Sequence, residues 1–281
     1  MLNHPITSPS SGNNTMVLNK IFVIVDPTTD EQPAFERALL SAKMTGTRLH
    51  LYACAPGPSR DSGEASALEL KARELLDAFL LRCQDAGVEA VDELEQGANW
   101  SQSAVRAAAR CSASMIFKNS FEHRDVQREM RPTSDFTLLR LASCPVLLVK
   151  DRRDWGHRRV LAAVNTGSTD NAHIKLTNQI ISFAQNFTDA YGSDAHFVTA
   201  YNNSNRPPEV QELAGICGAP TEHVHVIKGS AAPVISALAD EIEVDLIIIG
   251  TVGRSGIKGR VVGNTAEKIL DHTEADVLVV T

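Results

Sequence analysis

A glycine-containing segment near the end of the chain has the residue types and spacing of an anion-binding loop. An apolar run after Asp245 leads directly into Gly250, and Gly253 and Gly263 follow after two and nine intervening residues. An amphipathic stretch after Asn264 and a second apolar run come next, so the pattern predicts a strand, a glycine loop, a helix and another strand. Glycines after a strand let backbone amides approach an anion, and a helix N-terminus adds the positive end of its dipole. The segment therefore predicts a phosphate or anion site.

Polar residues in the same segment support this prediction. Asn264 is a suitable N-cap, and Glu267 three residues later completes the pattern of a capping box. Three cations between the glycines can pair with an anion, namely Arg254, Lys258 and Arg260. Thr251 and Thr265 complete the predicted site. The alternative is a purely structural turn, and two other phosphate motifs, GxxxxGK[ST] and GxGxxG, do not occur in the chain.

Residues suited to catalysis or metal binding are few. Four histidines have no cysteine or carboxylate at metal-ligand spacing in the sequence: His123, His223, His225 and His272. His223 and His225 alternate, which indicates one polar face of a strand. The nucleophile motif GxSxG does not occur either. The sequence therefore predicts no catalytic residue, no metal site and no enzymatic activity.

Composition narrows the class of protein. The chain has 281 residues, of which 43% are apolar and 22% charged, with a formal net charge of −7. This is typical of a globular protein and disfavours binding to nucleic acid or an anionic membrane. Five scattered cysteines without a CxxC pair indicate reduced thiols and a cytoplasmic location. Residues 1–18 are polar and predict a disordered leader, so that Met16 is a second candidate start.

Short apolar runs alternate with helical patterns, which predicts an α/β fold with parallel sheets. The order then restarts, because residues 159–165 resemble residues 20–26, and 195–200 resemble 48–53. Two further pairs share one offset of 131 residues, namely 244–249 with 113–118 and 275–280 with 144–149. The repeat predicts four segments: a leader (1–18), a first domain (19–150), a linker (151–158) and a second domain (159–281).

This arrangement resembles the universal stress protein family. The resemblance rests on the order of strand, Asp or Asn turn and long helix, followed by the G-x2-G-x9-G pattern and a small polar residue. Two such halves are similar to the tandem, UspE-like branch. The resemblance implies a five-stranded, doubly wound, Rossmann-like parallel sheet in each half, and a role in stress survival, often as dimers joined through the last strands. In ATP-binding members the glycine motif holds the phosphates and ribose, and an acidic residue ending the first strand lies near the adenine and ribose.

The shared offset allows the two halves to be compared residue by residue. Gly250, Gly253 and Gly263 align with Asn119, Glu122 and Pro132, which add side chains where bare amides are needed. The first half is therefore not expected to bind a nucleotide. In the second half the acidic Asp26 is replaced by Asn165, and Asn264 stands where ATP binders prefer Ser or Thr. We expect weak ATP binding there, with Mg²⁺ bound only together with ATP.

These observations favour a non-enzymatic stress-response protein that senses or stores a ligand in its second domain. A ligand-free adaptor, a weak ATP hydrolase and a first half that binds an apolar molecule remain alternatives. We expect the halves to form a built-in pseudo-dimer, associated face to face and in contact through residues 144–149 and 275–280. The sequence leaves a homodimer and unidentified protein partners open.

Overall fold

The computed structural model describes residues 18–57, 62–120, 134–150, 155–168, 170–202, 207–251 and 263–281. Residues 1–17 of the predicted leader, residues 151–154 of the predicted linker and most of the glycine loop lie outside these ranges. Within them, no helix is both long enough and apolar enough to cross a membrane.

The first domain alternates strands and helices as expected. Its strands are β1 (Lys20–Val25), β2 (Arg48–Ala55), β3 (Ala90–Gln96), β4 (Met115–Asn119) and β5 (Val146–Val149). Its helices are α1 (Pro33–Thr45), α2 (Ser62–Asp85), α3 (Trp100–Arg110) and α4 (Ser134–Leu141). Local sequence fixes the helix ends: α1 begins with a proline and ends at Gly46 in the left-handed conformation, while the Asn99 side chain caps α3.

The second domain repeats this order with one clear difference. Its strands are β6 (Arg159–Ala163), β7 (Asp194–Tyr201), β8 (Val224–Lys228), β9 (Leu246–Gly250) and β10 (Asp276–Val280). Its helices are α5 (Asn171–Tyr191), α6 (Val210–Cys217), α7 (Ala231–Glu241) and α8 (Asn264–His272), with a single 3-10 turn at Thr221–His223. Helix α6 has 8 residues where α2 has 24, a difference that the repeat does not reveal.

All ten strands form one continuous sheet in the order β3-β2-β1-β4-β5-β10-β9-β6-β7-β8. The pairs within each domain are parallel, and β5 pairs with β10 in the antiparallel direction. This confirms the predicted fold class and the predicted contact through residues 144–149 and 275–280. The expected face-to-face association is wrong, because the domains join edge to edge. Pairing the two last strands satisfies the backbone groups that each would otherwise leave open at an edge.

Helices cover both faces of the sheet. One core contains Phe35 from α1 and Leu76 from α2, together with Phe183 from α5. The core on the other face contains Leu138 from α4 and Ile269 from α8. Strands buried on both faces need apolar side chains at successive positions, which is why they appear in the sequence as continuous apolar runs.

A buried polar cluster lies where the two domains meet. Asp276 at the start of β10 accepts hydrogen bonds from the Lys150 backbone N–H and the Trp155 indole, both at 2.9 Å. Its carboxylate also lies 3.1 Å from Nε of Arg37 on α1, and the Arg37 guanidinium stacks over the Trp155 ring. Burial raises the pKa of Asp276, and the Arg37 charge and the two N–H donors oppose that shift. One carboxylate thus ties the first domain, the linker and the second domain together.

The structure shifts one part of the predicted repeat by a residue. Phe22 of β1 pairs with His50, and the equivalent Leu161 of β6 pairs with His196. His196 therefore corresponds to His50, whereas the alignment of 195–200 with 48–53 matched it to Leu49. A shift of one residue would move every side chain of the strand to the other face of the sheet.

Candidate functional site

A cavity of about 1230 Å³ opens at the carboxyl ends of β6 and β9, beside the N-terminus of α8. Small-molecule clefts typically measure about 300–1,000 Å³, so this one has room for a nucleotide. It brings together six of the predicted site residues: Asn165, Gly250, Thr251, Gly263, Asn264 and Thr265. The predicted Gly253 and Arg254 lie outside the described residues, as do Lys258 and Arg260.

Helix α8 presents backbone donors to this cavity. Its N-cap is Gly263, for which the described residues provide no side-chain cap. The prediction of Asn264 as the cap is wrong, since Asn264 is already the first helical residue. The first helical hydrogen bond runs from the Glu267 N–H to the Gly263 carbonyl at 3.1 Å, so the preceding amides remain available. Helix N-termini of this kind bind anions through those amides and the helix dipole.

Thr251 adds a buried hydroxyl to the cavity wall. The residue is only 5% exposed, and its backbone N–H donates to the Val280 carbonyl at 2.9 Å. Its side-chain oxygen is buried and has no hydrogen-bond partner among the described residues. A buried hydroxyl without a partner is costly, so this atom is suited to receive a polar group of a ligand.

Gly250 has a packing role that the sequence did not indicate. A β-carbon placed there would lie 2.5 Å from Cδ2 of Leu176 and 3.0 Å from Cδ1 of Ile180, both on α5. The glycine thus permits the close packing of α5 against the end of β9. By contrast, a β-carbon at Gly263 would meet no atom of the described residues within 4 Å. Gly250 and Gly263 are the two glycines of the predicted loop that the structure describes, and Gly263 is the one that a ligand can approach.

We predict that Gly250→Ala destabilises the protein by about 1–3 kcal/mol, because the added methyl forces α5 away from the sheet. Denaturant unfolding should show a lower midpoint. A second substitution, Leu176→Ala, removes the nearest clashing atoms, so the double variant should lose less than the sum of the two single losses. Additive losses would contradict the packing role.

Two polar residues on the rim of the cavity were not predicted from the sequence. Asp170 is the N-cap of α5, and its carboxylate lies 2.9 Å from Nδ1 of His173. The hydrogen bond from His173 lowers the pKa of Asp170, which keeps this carboxylate ionised. An Asp directly before a long helical pattern is a recognisable N-cap signal that could have indicated this position.

The first domain fills the position equivalent to Gly250 with a side chain, and a smaller cavity of about 340 Å³ remains beside it. Asn119, which corresponds to Gly250, is 1% exposed. Its carbonyl oxygen accepts from the Ala34 N–H at 2.8 Å, and its amide donates to Gln32 at 3.1 Å. The end of β4 is therefore fastened to the start of α1. Asp26 is also engaged, because its Oδ1 accepts from the backbone N–H and the hydroxyl of Thr28.

A buried ion pair also lies in the first domain, next to Asn119. Lys118 Nζ lies 2.7 Å from Asp135 Oδ1, with exposures of 12% and 7%, and the Ser120 hydroxyl donates to the same carboxylate at 3.2 Å. Asp135 lies in the first turn of α4, where an external anion would bind. With the offset of 131, the equivalents in the second domain are Ile249, Thr251 and Ala266. The second domain lacks the carboxylate that satisfies the hydroxyl in the first.

Comparison with known proteins agrees with two copies of this arrangement. The sequence model of the universal stress protein family matches residues 18–150 and again residues 158–281. The chain belongs to the universal stress protein family.

Relatives of similar length share the tandem organisation. Universal stress protein E of Escherichia coli is 25% identical over 293 residues, covering 92% of this chain and 93% of that protein. The homologue in Haemophilus influenzae is 25% identical over 305 residues, covering 94% and 97%. A crystal structure of a functionally unknown Pseudomonas aeruginosa protein is 28% identical, covers 95% of this chain and 94% of its own, and superposes with a TM-score of 0.74.

This universal stress protein also has a histidine cluster that was misread from the sequence. His223 lies in the 3-10 turn, not on a strand face shared with His225. It also has a carboxylate neighbour, because Asp194 Oδ1 lies 3.2 Å from its Nδ1. His196 joins the cluster from β7, with its Nδ1 3.2 Å from Nε2 of His225. The sequence missed this because the contacts bring together residues about 30 positions apart.

The same cluster predicts a pH dependence of stability. Burial lowers the pKa of both His196 and His225, so the unfolded chain binds protons more readily than the folded one near the usual histidine pKa of about 6.5. This contribution is complete above about pH 6.5 and is lost as the pH falls below it. We expect the free energy of unfolding to decrease from pH 7 to pH 5, and to decrease less steeply in His225→Gln. Equal slopes in urea unfolding would contradict this.

The cysteines of this universal stress protein are unsuited to nucleophilic chemistry. All five are free, and burial raises the pKa of Cys83 and Cys217 to about 11. These thiols stay protonated at neutral pH, and the thiolate is the reactive form.

Proposed function

We propose that this protein is a non-enzymatic stress-response protein that binds an adenine nucleotide in its second domain. The observation that carries the proposal is the buried Thr251 hydroxyl, which has no hydrogen-bond partner within the described ranges, beside the glycine-capped N-terminus of α8. In the first domain the equivalent hydroxyl is satisfied by Asp135. A ligand phosphate in the second domain would supply the negative charge and the hydrogen-bond acceptor that Ala266 does not.

The remaining polar groups of the cavity fit the rest of such a ligand. Asn165 lies just after the first strand of its domain, where its amide can bond to a ribose hydroxyl or to the edge of an adenine. Asp170 and Glu267 also line the cavity, and both would repel phosphates. Their charge favours a nucleotide whose phosphates are neutralised by Mg²⁺, and it makes the binding weak. We propose a dissociation constant above about 1 μM.

The described residues that line the cavity favour binding over ATP hydrolysis. Among the described residues that line the cavity, His173 is the one imidazole, and it is bonded to Asp170. Catalysis of hydrolysis requires a group that orients or deprotonates water. We therefore place binding rather than turnover at this site. The free thiols are consistent with a reducing compartment such as the cytoplasm.

A ligand-free adaptor is the second candidate. Leu70 and Leu81 are 66% and 58% exposed on α2, and their spacing of eleven residues places them on one side of the helix. Exposed apolar groups on one side of a helix are suited to protein contacts. If this surface is the functional one, the cavity would bind no nucleotide at all.

Calorimetric titration of the full chain with ATP and Mg²⁺ tests the proposal, with inorganic phosphate release followed in the same samples. We expect one weak site per chain, weaker binding of adenosine than of ATP, and no phosphate release above background. Absence of binding would favour the adaptor, whereas sustained phosphate release would favour the hydrolase. Binding of adenosine and ATP with equal affinity would contradict a phosphate site at α8.

A further inference from the structure

A second cluster of ligating side chains lies at the amino ends of β7 and β8. The cavity lies at the other end of the strands, beyond their carboxyl ends. Asp194 is the first residue of β7, His196 follows two positions later, and His223 comes from the 3-10 turn. Asp194 Oδ2 lies 3.4 Å from His196 Nε2, and Asp194 Oδ1 lies 3.2 Å from His223 Nδ1. One ligand atom from each of the three residues lies within 4.8 Å of the others.

The first domain shows what this position contains when it is a simple salt bridge. There His50 bonds to Glu93 at 2.9 Å, and Glu93 is bonded in turn to Arg110. The strand register makes His196 the equivalent of His50, and His225 the equivalent of Glu93. The second domain differs at the remaining positions as well: Asp194 replaces Arg48, His223 replaces Val91 and Glu241 replaces Arg110. A charge pair has been replaced by three imidazoles and two carboxylates.

The two ring nitrogens of His196 face two different neighbours. Its Nδ1 lies 3.2 Å from Nε2 of His225, and its Nε2 lies 3.4 Å from Oδ2 of Asp194. The contact with His225 orients the ring so that Nε2 is directed at the carboxylate. An imidazole nitrogen and a carboxylate oxygen that face each other in this way are ligand types that a divalent transition ion binds.

We propose that Asp194, His196 and His223 bind a divalent first-row transition ion, for which Zn²⁺ is the best match. Imidazole nitrogen and carboxylate oxygen bind Zn²⁺ at about 2.0–2.1 Å in tetrahedral geometry, which places neighbouring ligand atoms about 3.3 Å apart. Asp194 lies at a similar spacing from both rings, with Oδ2 3.4 Å from His196 and Oδ1 3.2 Å from His223. His225, 3.2 Å from Nδ1 of His196, is the outer-shell partner that fixes the orientation of that ring.

The site is accessible to an ion from solution. His196 is 12% exposed, His223 is 27% exposed and Asp194 is 46% exposed, so the cluster is buried on the sheet side and open on the other. Three protein ligands leave a fourth position for water or for an exogenous group. This differs from the closed four-ligand sets of purely structural zinc sites.

Zn²⁺ binding to the chelator-treated full chain, measured in competition with a chromophoric chelator, tests this proposal. We expect one site per chain in the wild type. Asp194→Asn and His223→Ala should each weaken binding by more than about 100-fold, and His225→Ala by about 10-fold or more, as is usual for outer-shell partners. His173→Ala is the matched control, because it disrupts an exposed His–Asp pair, 2.9 Å long, that lies outside the cluster. It should leave the affinity for Zn²⁺ unchanged.

Circular dichroism of each variant separates loss of the ligand from loss of the fold, and His223 is the safest position because it lies in a partly exposed turn. Bound Zn²⁺ should also raise the melting temperature of the wild type and not that of Asp194→Asn. The proposal fails if the wild type binds no stoichiometric Zn²⁺, or if Asp194→Asn and His223→Ala bind it as tightly as the wild type. Neither result bears on nucleotide binding in the cavity at the carboxyl ends of the strands.

Discussion

Replacing Asp276 by alanine should destabilise this protein by about 3–5 kcal/mol, the loss typical of breaking a buried ion pair. The carboxylate is 4% exposed and the Arg37 guanidinium 7%, so the substitution leaves a positive charge without its partner in a dry environment. It also removes the acceptor for the Lys150 N–H and the Trp155 indole. The loss should be concentrated at the junction between the domains, because those donors come from the end of β5 and the linker.

Urea unfolding followed by tryptophan fluorescence measures this effect, since Trp155 lies within the cluster. The matched control is Glu89→Ala, which breaks an exposed pair with Arg48 at 3.7 Å and should lose less than about 1 kcal/mol. The two N–H donors bond to different oxygens of Asp276, so Asp276→Asn keeps an acceptor for only one of them and should fall between the two. If Asp276→Ala is no less stable than Glu89→Ala, the cluster does not hold the domains together.

The central strands could be predicted because burial on both faces gives continuous apolar runs in the sequence. The edge strands β3 and β8 are only partly buried, and their sequences are less uniformly apolar. The contact between the last strands followed from the same reasoning, since an apolar strand at an edge needs a partner. The edge-to-edge geometry did not follow, because sequence patterns say which groups must be covered and not by what. Buried polar groups such as Asp276 and Arg37 were also missed, since each gains its partner only through the folded arrangement.

The structure brings six of the predicted site residues to one cavity, and it changes the roles expected for two of them. Gly250 was assigned to anion binding, yet its contact with Leu176 shows a requirement for helix packing. The cap of α8 is one residue earlier than expected, at Gly263. The buried ion pair between Lys118 and Asp135 in the first domain was not predicted, because these residues lie 17 positions apart and neither is unusual alone. Spacing locates a loop, but only contacts show which of its residues face the ligand.

The comparison between the domains leads to the second large effect, at Gly263. Gly263→Asp should weaken ATP binding by about 100-fold or more, or about 2.7 kcal/mol, because a carboxylate at the N-terminus of α8 would repel the phosphates. Asp135 places a carboxylate at the corresponding helix N-terminus of the first domain. The change should not harm the fold, since a β-carbon there meets no atom of the described residues within 4 Å and Asp is a favoured N-cap. We expect its melting temperature to equal or exceed that of the wild type.

Gly263→Asn provides the control that isolates charge. Asn has nearly the same shape as Asp and caps helices about as well, so it differs from Asp chiefly by being neutral. Calorimetric titration with ATP and Mg²⁺ should therefore show a small loss for Asn and a large one for Asp. If both variants lose affinity equally, the space at Gly263 matters and its charge does not. If neither loses affinity, ATP does not bind at α8. The buried Thr251 hydroxyl would then not be a phosphate-binding group.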